Sequence, residues 1–330
     1  MKRGFIFFCL IWTVLTVSPL CFYRIQGFPS AELAPQVPIQ TDRLSEQNMQ
    51  ANGFLPTALS IYITSEDKII SMDTEEYIWG VVAAEMPASF HEEALKAQAV
   101  AARTYLANRL QTKNEKHPDA HICTDSTHCQ GWCSRTDARA KWVGDADLYE
   151  NKLNAALLET KEKILLYEEK PILAAYHALS SGKTNDAVDV WGKKVPYLVS
   201  VPVEEDRLRE KYYFEVRYPH DALCALFSEH GYPITSISDI GTPVYNDAGY
   251  ILRIGIGENS VSGSDLRNLL ALRSAAVTIV RQEDAVLFQT RGYGHGVGMS
   301  QYGADSLGKN GKSFFEILSY FYPGTTLMPE

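Results

Sequence analysis

Helix-period and strand-period segments alternate along this chain without a repeating order, and that mixture predicts an α+β fold: one large domain of helices and short strands. Three observations carry the expectation. Leu95, Ala99, Ala102, Leu106 and Leu110 recur at spacings of three and four, which places them on one helical face. Short β-rich runs near 197–203, 212–216, 250–256, 275–281 and 285–291 sit among helical stretches instead of forming one block. No period repeats, and no second linker divides the chain after residue 56. With 330 residues, 45% hydrophobic and 22% charged, the chain can bury a substantial core.

The chain opens with 1–24, where the uncharged run from Gly4 to Tyr23 follows Lys2 and Arg3. A run of that length matches one helical crossing of a bilayer. The flanking cations predict a single-pass cell-membrane anchor with its N-terminus in the cytoplasm and the rest outside. A cleaved signal peptide is the rival reading; the run exceeds the usual apolar segment of such peptides and has no clean small-residue cleavage site. Residues 25–56 carry Pro29, Pro35, Pro38 and Pro56 with little apolar period, and read as a flexible linker. The domain is then 57–330.

Within it, a strand is expected at 58–64. Asp73 offers an N-cap with Glu76 three residues later, so a helix should cover 77–84 and stop before Pro87, because the residue preceding proline is driven out of helical geometry. A second helix is predicted over 92–110, a long polar insertion over 111–146, and a third helix over 148–161. A hairpin should follow, 163–167 against 171–177, turning at 168–170. The remainder predicts helices near 220–230 and 263–271, a glycine loop at 292–298, and helices near 300–308 and 313–321.

The net charge of −9 argues against nucleic acid as a partner, since phosphate binding draws on surplus Lys and Arg. Several motifs fail on inspection. Gly182-Lys183-Thr184 lacks the first glycine of a phosphate loop, because His177 stands there. Gly292, Gly294, Gly296 and Gly298 alternate too strictly for a dinucleotide fingerprint, so no organic cofactor is expected. Ser180 and Lys183 fit S-x-x-K, but neither companion motif occurs.

Two places carry chemistry. His117, Cys123 and Cys129 are spaced six and six, an N/S set suited to one zinc ion; a disulfide, Cys123 with Cys133 for example, is the competing use. Cys133 and His121 are further donors in the same insertion. The second is Glu85, a lone acid at the end of an apolar helix. The helix dipole disfavours an anion there, and apolar neighbours raise a carboxyl pKa, which keeps a general acid protonated. Alternatively Glu85 faces solvent or pairs with Lys96 or Arg103.

Val82-Ala-Ala-Glu85-Met-Pro87, Ala94 through Tyr105, His128-Cys129-Gln130, Tyr176-His177-Ala-Leu-Ser180-Ser181-Gly182, Leu272-Arg273-Ser274 and Gly294 through Ala304 together resemble the stage II sporulation protein D (SpoIID) family, in order from about residue 57 to the end. The resemblance implies a peptidoglycan lytic transglycosylase that cuts the MurNAc–GlcNAc linkage to leave 1,6-anhydroMurNAc ends during forespore engulfment. It also implies an amidase partner (SpoIIP) and a membrane partner (SpoIIM). It assigns the essential acid to Glu85 and favours zinc on His117, Cys123 and Cys129. Gln98, Arg103, Tyr105, His128, Gln130, Tyr176, His177, Ser180, Ser181 and His295 become expected glycan contacts, with the glycine loop giving close backbone approach. The alternative is a non-catalytic wall-binding module that activates an amidase.

Overall fold

The computed structural model describes residues 53–328. The expected anchor and most of the linker lie outside the described residues. Among those described, no helix is long and apolar enough to cross a membrane.

Strands β1 (Ala58–Ile63) and β2 (Lys68–Asp73) form an antiparallel hairpin. Asp73 then caps α1 (Thr74–Glu85), its carboxylate accepting from the N–H groups of Glu75 and Glu76. The helix ends as expected: Met86 before Pro87 is extended, at φ −124° and ψ 134°. Next come α2 (Glu92–Arg109), β3 (Ile122–Cys123), α3 (Arg135–Lys141) and α4 (Ala146–Glu159). Sequence periodicity had no purchase on β2 or on α3, because β2 is largely exposed and α3 buries only Ala138.

β4 (Ile164–Tyr167) and β5 (Lys170–Pro171) make the predicted hairpin in shortened form. Its second arm does not reach 177. Instead β6 (Tyr176–His177) leaves to pair in parallel with the distant β13 (Met299–Ser300). The short helix α5 (Ala187–Trp191) follows, and the strand expected at 197–203 is irregular chain, held by a bridge between Lys183 and Pro202 and by hydrogen bonds to Thr184 and Ala187.

Residues 213–291 build a second layer from β7 (Tyr213–Pro219), α6 (His220–Glu229), β8 (Val244–Tyr245), β9 (Ile251–Ile256), β10 (Asn259–Ser262), α7 (Gly263–Leu269), β11 (Val277–Arg281) and β12 (Ala285–Arg291). Two three-stranded sheets, β10-β9-β8 and β11-β12-β7, enclose a core that includes Leu223, Phe227, Ile254 and Phe288. The chain then returns through β13, α8 (Gln301–Lys309), α9 (Phe314–Phe321) and β14 (Thr326–Met328) to the first core. That core centres on α2, whose alanines, all buried between Ala94 and Ala107, let α1, α4, α8 and α9 pack closely. The described residues are thus a mixed α+β domain, as predicted, with two large hydrophobic centres and a small one around Tyr250 in one compact unit.

Candidate active site and metal centre

The polar insertion is tied to the domain at both ends. β3 adds to β1 in parallel, and His121 extends the joint by accepting the Ser60 N–H on Nδ1 at 2.9 Å. That use removes His121 from the candidate ligands. At the other end the chain crosses α1 at Gly80. The Cys133 N–H donates to the Gly80 carbonyl at 3.2 Å, and a Cβ on residue 80 would lie 2.1 Å from Trp132 Nε1. Glycine at 80 is therefore what lets the insertion lie on the helix.

This crossing delivers the Gly131 N–H to Glu85, where it donates to Oε1 at 2.7 Å. Glu85 is partly buried, and burial pushes its carboxyl above the usual range, offset in part by the Gly131 bond. It pairs with neither suggested cation. Lys96 bridges Glu93 and Glu159 at 2.7 and 2.6 Å, while Arg103 holds Glu75. Around the acid stand three tyrosines. The Tyr176 hydroxyl accepts from Gln130 Nε2 at 2.8 Å. Tyr77 and Tyr105 have phenols pushed up chiefly by burial, with smaller effects from Cys129 and Glu85. Tyr77 was not singled out in the sequence; its hydroxyl is buried without a partner. Gln130 likewise keeps a buried, unpartnered Oε1.

One turn upstream, His128 and Cys129 both donate N–H bonds to the Asp125 carbonyl, at 3.1 and 2.7 Å. The turn brings Cys123 Sγ and Cys129 Sγ each to 3.3 Å from His128 Nδ1, and the three donor atoms lie within 4.8 Å of one another. His128, expected to contact glycan, is here the imidazole that meets both sulfurs, and His117, the imidazole of the expected ligand set, stands next to it. His117 stacks on Tyr62 with centroids 3.9 Å apart and stands edge-on to His128 at 6.2 Å, its Nε2 buried and unpartnered. Cys123 and Cys129 divide a proton unequally: hydrogen bonding between them pushes Cys123 up and holds Cys129 at about 7. Two convergent thiols, one readily ionised, with an imidazole and a second orphaned imidazole nearby fit zinc. The disulfide alternative is not formed, since Cys123 and Cys133 are both free and Cys133 Sγ faces the Gly80 carbonyl at 3.8 Å.

Several residues expected to contact glycan are engaged within the fold. Arg103 is fully buried; it grips both oxygens of Glu75 at 2.9 and 2.8 Å and donates to the Thr160 carbonyl at 2.8 Å. Gln98 is fully buried and accepts from Gln301 at 3.3 Å between α2 and α8. Ser180 donates its N–H to Asp206 at 2.8 Å, and Ser181 Oγ donates to the Ala248 carbonyl at 2.7 Å. The glycine loop packs on protein: the Tyr293 and Met299 N–H groups donate to the carbonyls of Leu179 and Ala175. His177 and His295, rings 5.8 Å apart, are neutral, held by burial at about 3 and about 4. Tyr105, Gln130 and Tyr176 remain around Glu85.

The SpoIID family profile, described as Stage II sporulation protein, matches residues 62–167, the segment holding both Glu85 and the thiol cluster. A Stage II sporulation protein D of Bacillus subtilis is 34% identical over 276 residues, covering 82% of this chain and 79% of that protein. The chain belongs to the SpoIID family. A second SpoIID, from Bacillus amyloliquefaciens, is 33% identical over 274 residues, with 82% of this chain and 79% of that protein covered. The Amidase enhancer of Bacillus subtilis is 28% identical, covering 75% of this chain and 40% of that protein. Family membership assigns the chain to sporulation; it leaves the reaction to be argued from the site.

Proposed function

We propose that this member of the SpoIID family is a lytic transglycosylase acting on peptidoglycan outside the cytoplasm. The observation that carries the reading is Glu85: a partly buried carboxyl with raised proton affinity, ringed by tyrosines and bonded by the Gly131 N–H. Ordinary glycosidases set two carboxylates across the bond. A single acid suffices when the substrate supplies the nucleophile. Glu85 protonates the leaving glycosidic oxygen while the MurNAc acetamido oxygen stabilises C1. The resulting carboxylate then removes the proton of the C6 hydroxyl, which attacks C1 and closes the 1,6-anhydro ring without water. The Gly131 N–H stabilises the anionic form of Glu85 between these steps, and Gln130 with Tyr176 offers polar atoms to the sugar.

Cys123, His128 and Cys129 would hold zinc, with His117 adjacent as a further donor. Bound there, zinc supplies a crosslink that stiffens the turn leading into Gln130 and Gly131. The likeness to the Amidase enhancer supports a second reading, a wall-binding activator of an amidase partner without chemistry of its own. Incubation of the full chain and its Glu85→Gln variant with glycan strands, followed by mass spectrometry, separates them. Anhydro ends from the unaltered chain and none from the variant support the enzyme; no product from either supports the activator.

A further inference from the structure

Two arginines, Arg267 and Arg273, lie next to the glycine loop. Arg267, on α7, is partly buried and donates Nε–H to the Arg273 carbonyl at 3.3 Å. The same carbonyl accepts the Gly294 N–H at 2.8 Å, which joins α7 to the glycine loop. The Arg273 guanidinium stacks 3.9 Å from the Phe214 ring and 5.4 Å from the ring of Tyr293, which is 45% exposed. Among the described residues neither arginine forms an ion pair. The nearest acid in sequence, Asp265, is occupied in capping α7, accepting from Ser262 Oγ at 2.7 Å. A desolvated guanidinium normally has a carboxylate or phosphate on its fork, and in a chain of net charge −9 acids are not scarce.

The pair is contiguous with the candidate active site. The Arg273 carbonyl holds Gly294, which lies against His177, a Cβ there falling 2.7 Å from the His177 Cβ; the adjacent Tyr176 accepts from Gln130, next to the Gly131 that bonds Glu85. Stacking leaves the Arg273 edge, where its N–H donors lie, free for a bidentate contact, while Tyr293 offers an exposed face to a sugar ring.

We propose that Arg267 and Arg273, with Tyr293, form a subsite that takes a carboxylate carried by the glycan strand. The inference rests on the glycan-cleaving reading and adds a requirement for anionic substrate. The carboxylate could belong to a lactyl group on bare glycan or to a stem peptide; the chemistry recognised is the same.

The test is calorimetric binding to the full chain carrying Glu85→Gln, so that nothing depends on turnover. Four probes are compared: a neutral N-acetylglucosamine oligomer, glycan with free lactyl carboxylates, that glycan with its carboxylates converted to methyl amides, and glycan bearing stem peptides. Amidation should weaken binding about tenfold, the loss of a charge-assisted pair. Arg267→Gln or Arg273→Gln should weaken the carboxylate probes to the same extent, and leave the neutral oligomer unchanged, which also reports that the variants are folded. Arg273→Lys, keeping charge without the fork, should fall between. Tighter binding of the peptide-bearing probe assigns the peptide carboxylate; tighter binding of the bare one assigns the lactyl group. Equal binding of amidated and free glycan, or equal loss on neutral and anionic probes, overturns the subsite. Carboxylate discrimination by the Glu85→Gln chain together with no anhydro ends from the unaltered chain overturns the transglycosylase reading alone.

Discussion

Gly131 places its amide nitrogen 2.7 Å from Glu85 Oε1, and a Cβ on residue 131 would stand 2.8 Å from that same oxygen. The acid and the insertion therefore meet at a point where any side chain on residue 131 would displace the carboxylate. Gly131→Ala should move the carboxylate and lower kcat about tenfold with little change in melting temperature, whereas Glu85→Gln should cost roughly 10²–10⁴-fold, the range of general acid–base catalysis. Single-turnover release of anhydro ends measures both.

Burial raises the Glu85 pKa, so the protonated acid persists above the usual glutamate range and is lost as pH rises through the elevated value. The rate of glycosidic cleavage should fall on that alkaline side, and the fall should be missing from the residual rate of Glu85→Gln. A pH profile of kcat over both proteins checks it.

Removal of the metal should loosen the insertion. Cys129→Ser and His128→Ala are each expected to abolish stoichiometric zinc and lower the melting temperature, and His117→Ala to weaken zinc less than His128→Ala. Elemental analysis and thermal unfolding of the full chain read this out; intact zinc in His128→Ala would return that position to the glycan.

Arg103 tests the division between structure and chemistry. Arg103→Met leaves Glu75 and the Thr160 carbonyl without their buried donor, so about 3 kcal/mol of stability should be lost. Activity per folded molecule should hold. Chemical denaturation together with activity at a temperature where the variant stays folded distinguishes this from a role in binding substrate.

Asp206 predicts a pH effect on stability alone. It is fully buried, accepts from the Ser180 N–H and Ser300 Oγ, and leaves Oδ1 unpartnered; burial raises it to about 6. The folded state thus binds the proton more tightly than the unfolded one, so this contribution is complete below the ordinary aspartate range and is lost as pH rises toward about 6. Asp206→Asn should flatten the melting temperature across that window.

Much of this protein was legible locally. Asp73, Pro87 and the small-residue face of α2 determine where α1 begins, where it stops and how closely its neighbours pack, because capping, proline sterics and helical period act within a few residues. Glu85 stood out for the same reason: an acid ending an apolar helix is a local conflict. The insertion's Cys and His content showed a set of soft donors, but not which of them converge. His117 and His128 have equal chemistry, and only the turn at Asp125 decides which imidazole meets the two sulfurs. Arg103, Gln98 and Ser180 lie in motifs that accompany the acid's and yet are engaged inside the fold, since a motif records neighbours in sequence and burial depends on the whole fold. Tyr176 beside Gln130, Gly131 on Glu85 and the pairing of β6 with β13 are contacts between distant segments, and such contacts exist only once the tertiary structure has closed the loops between them.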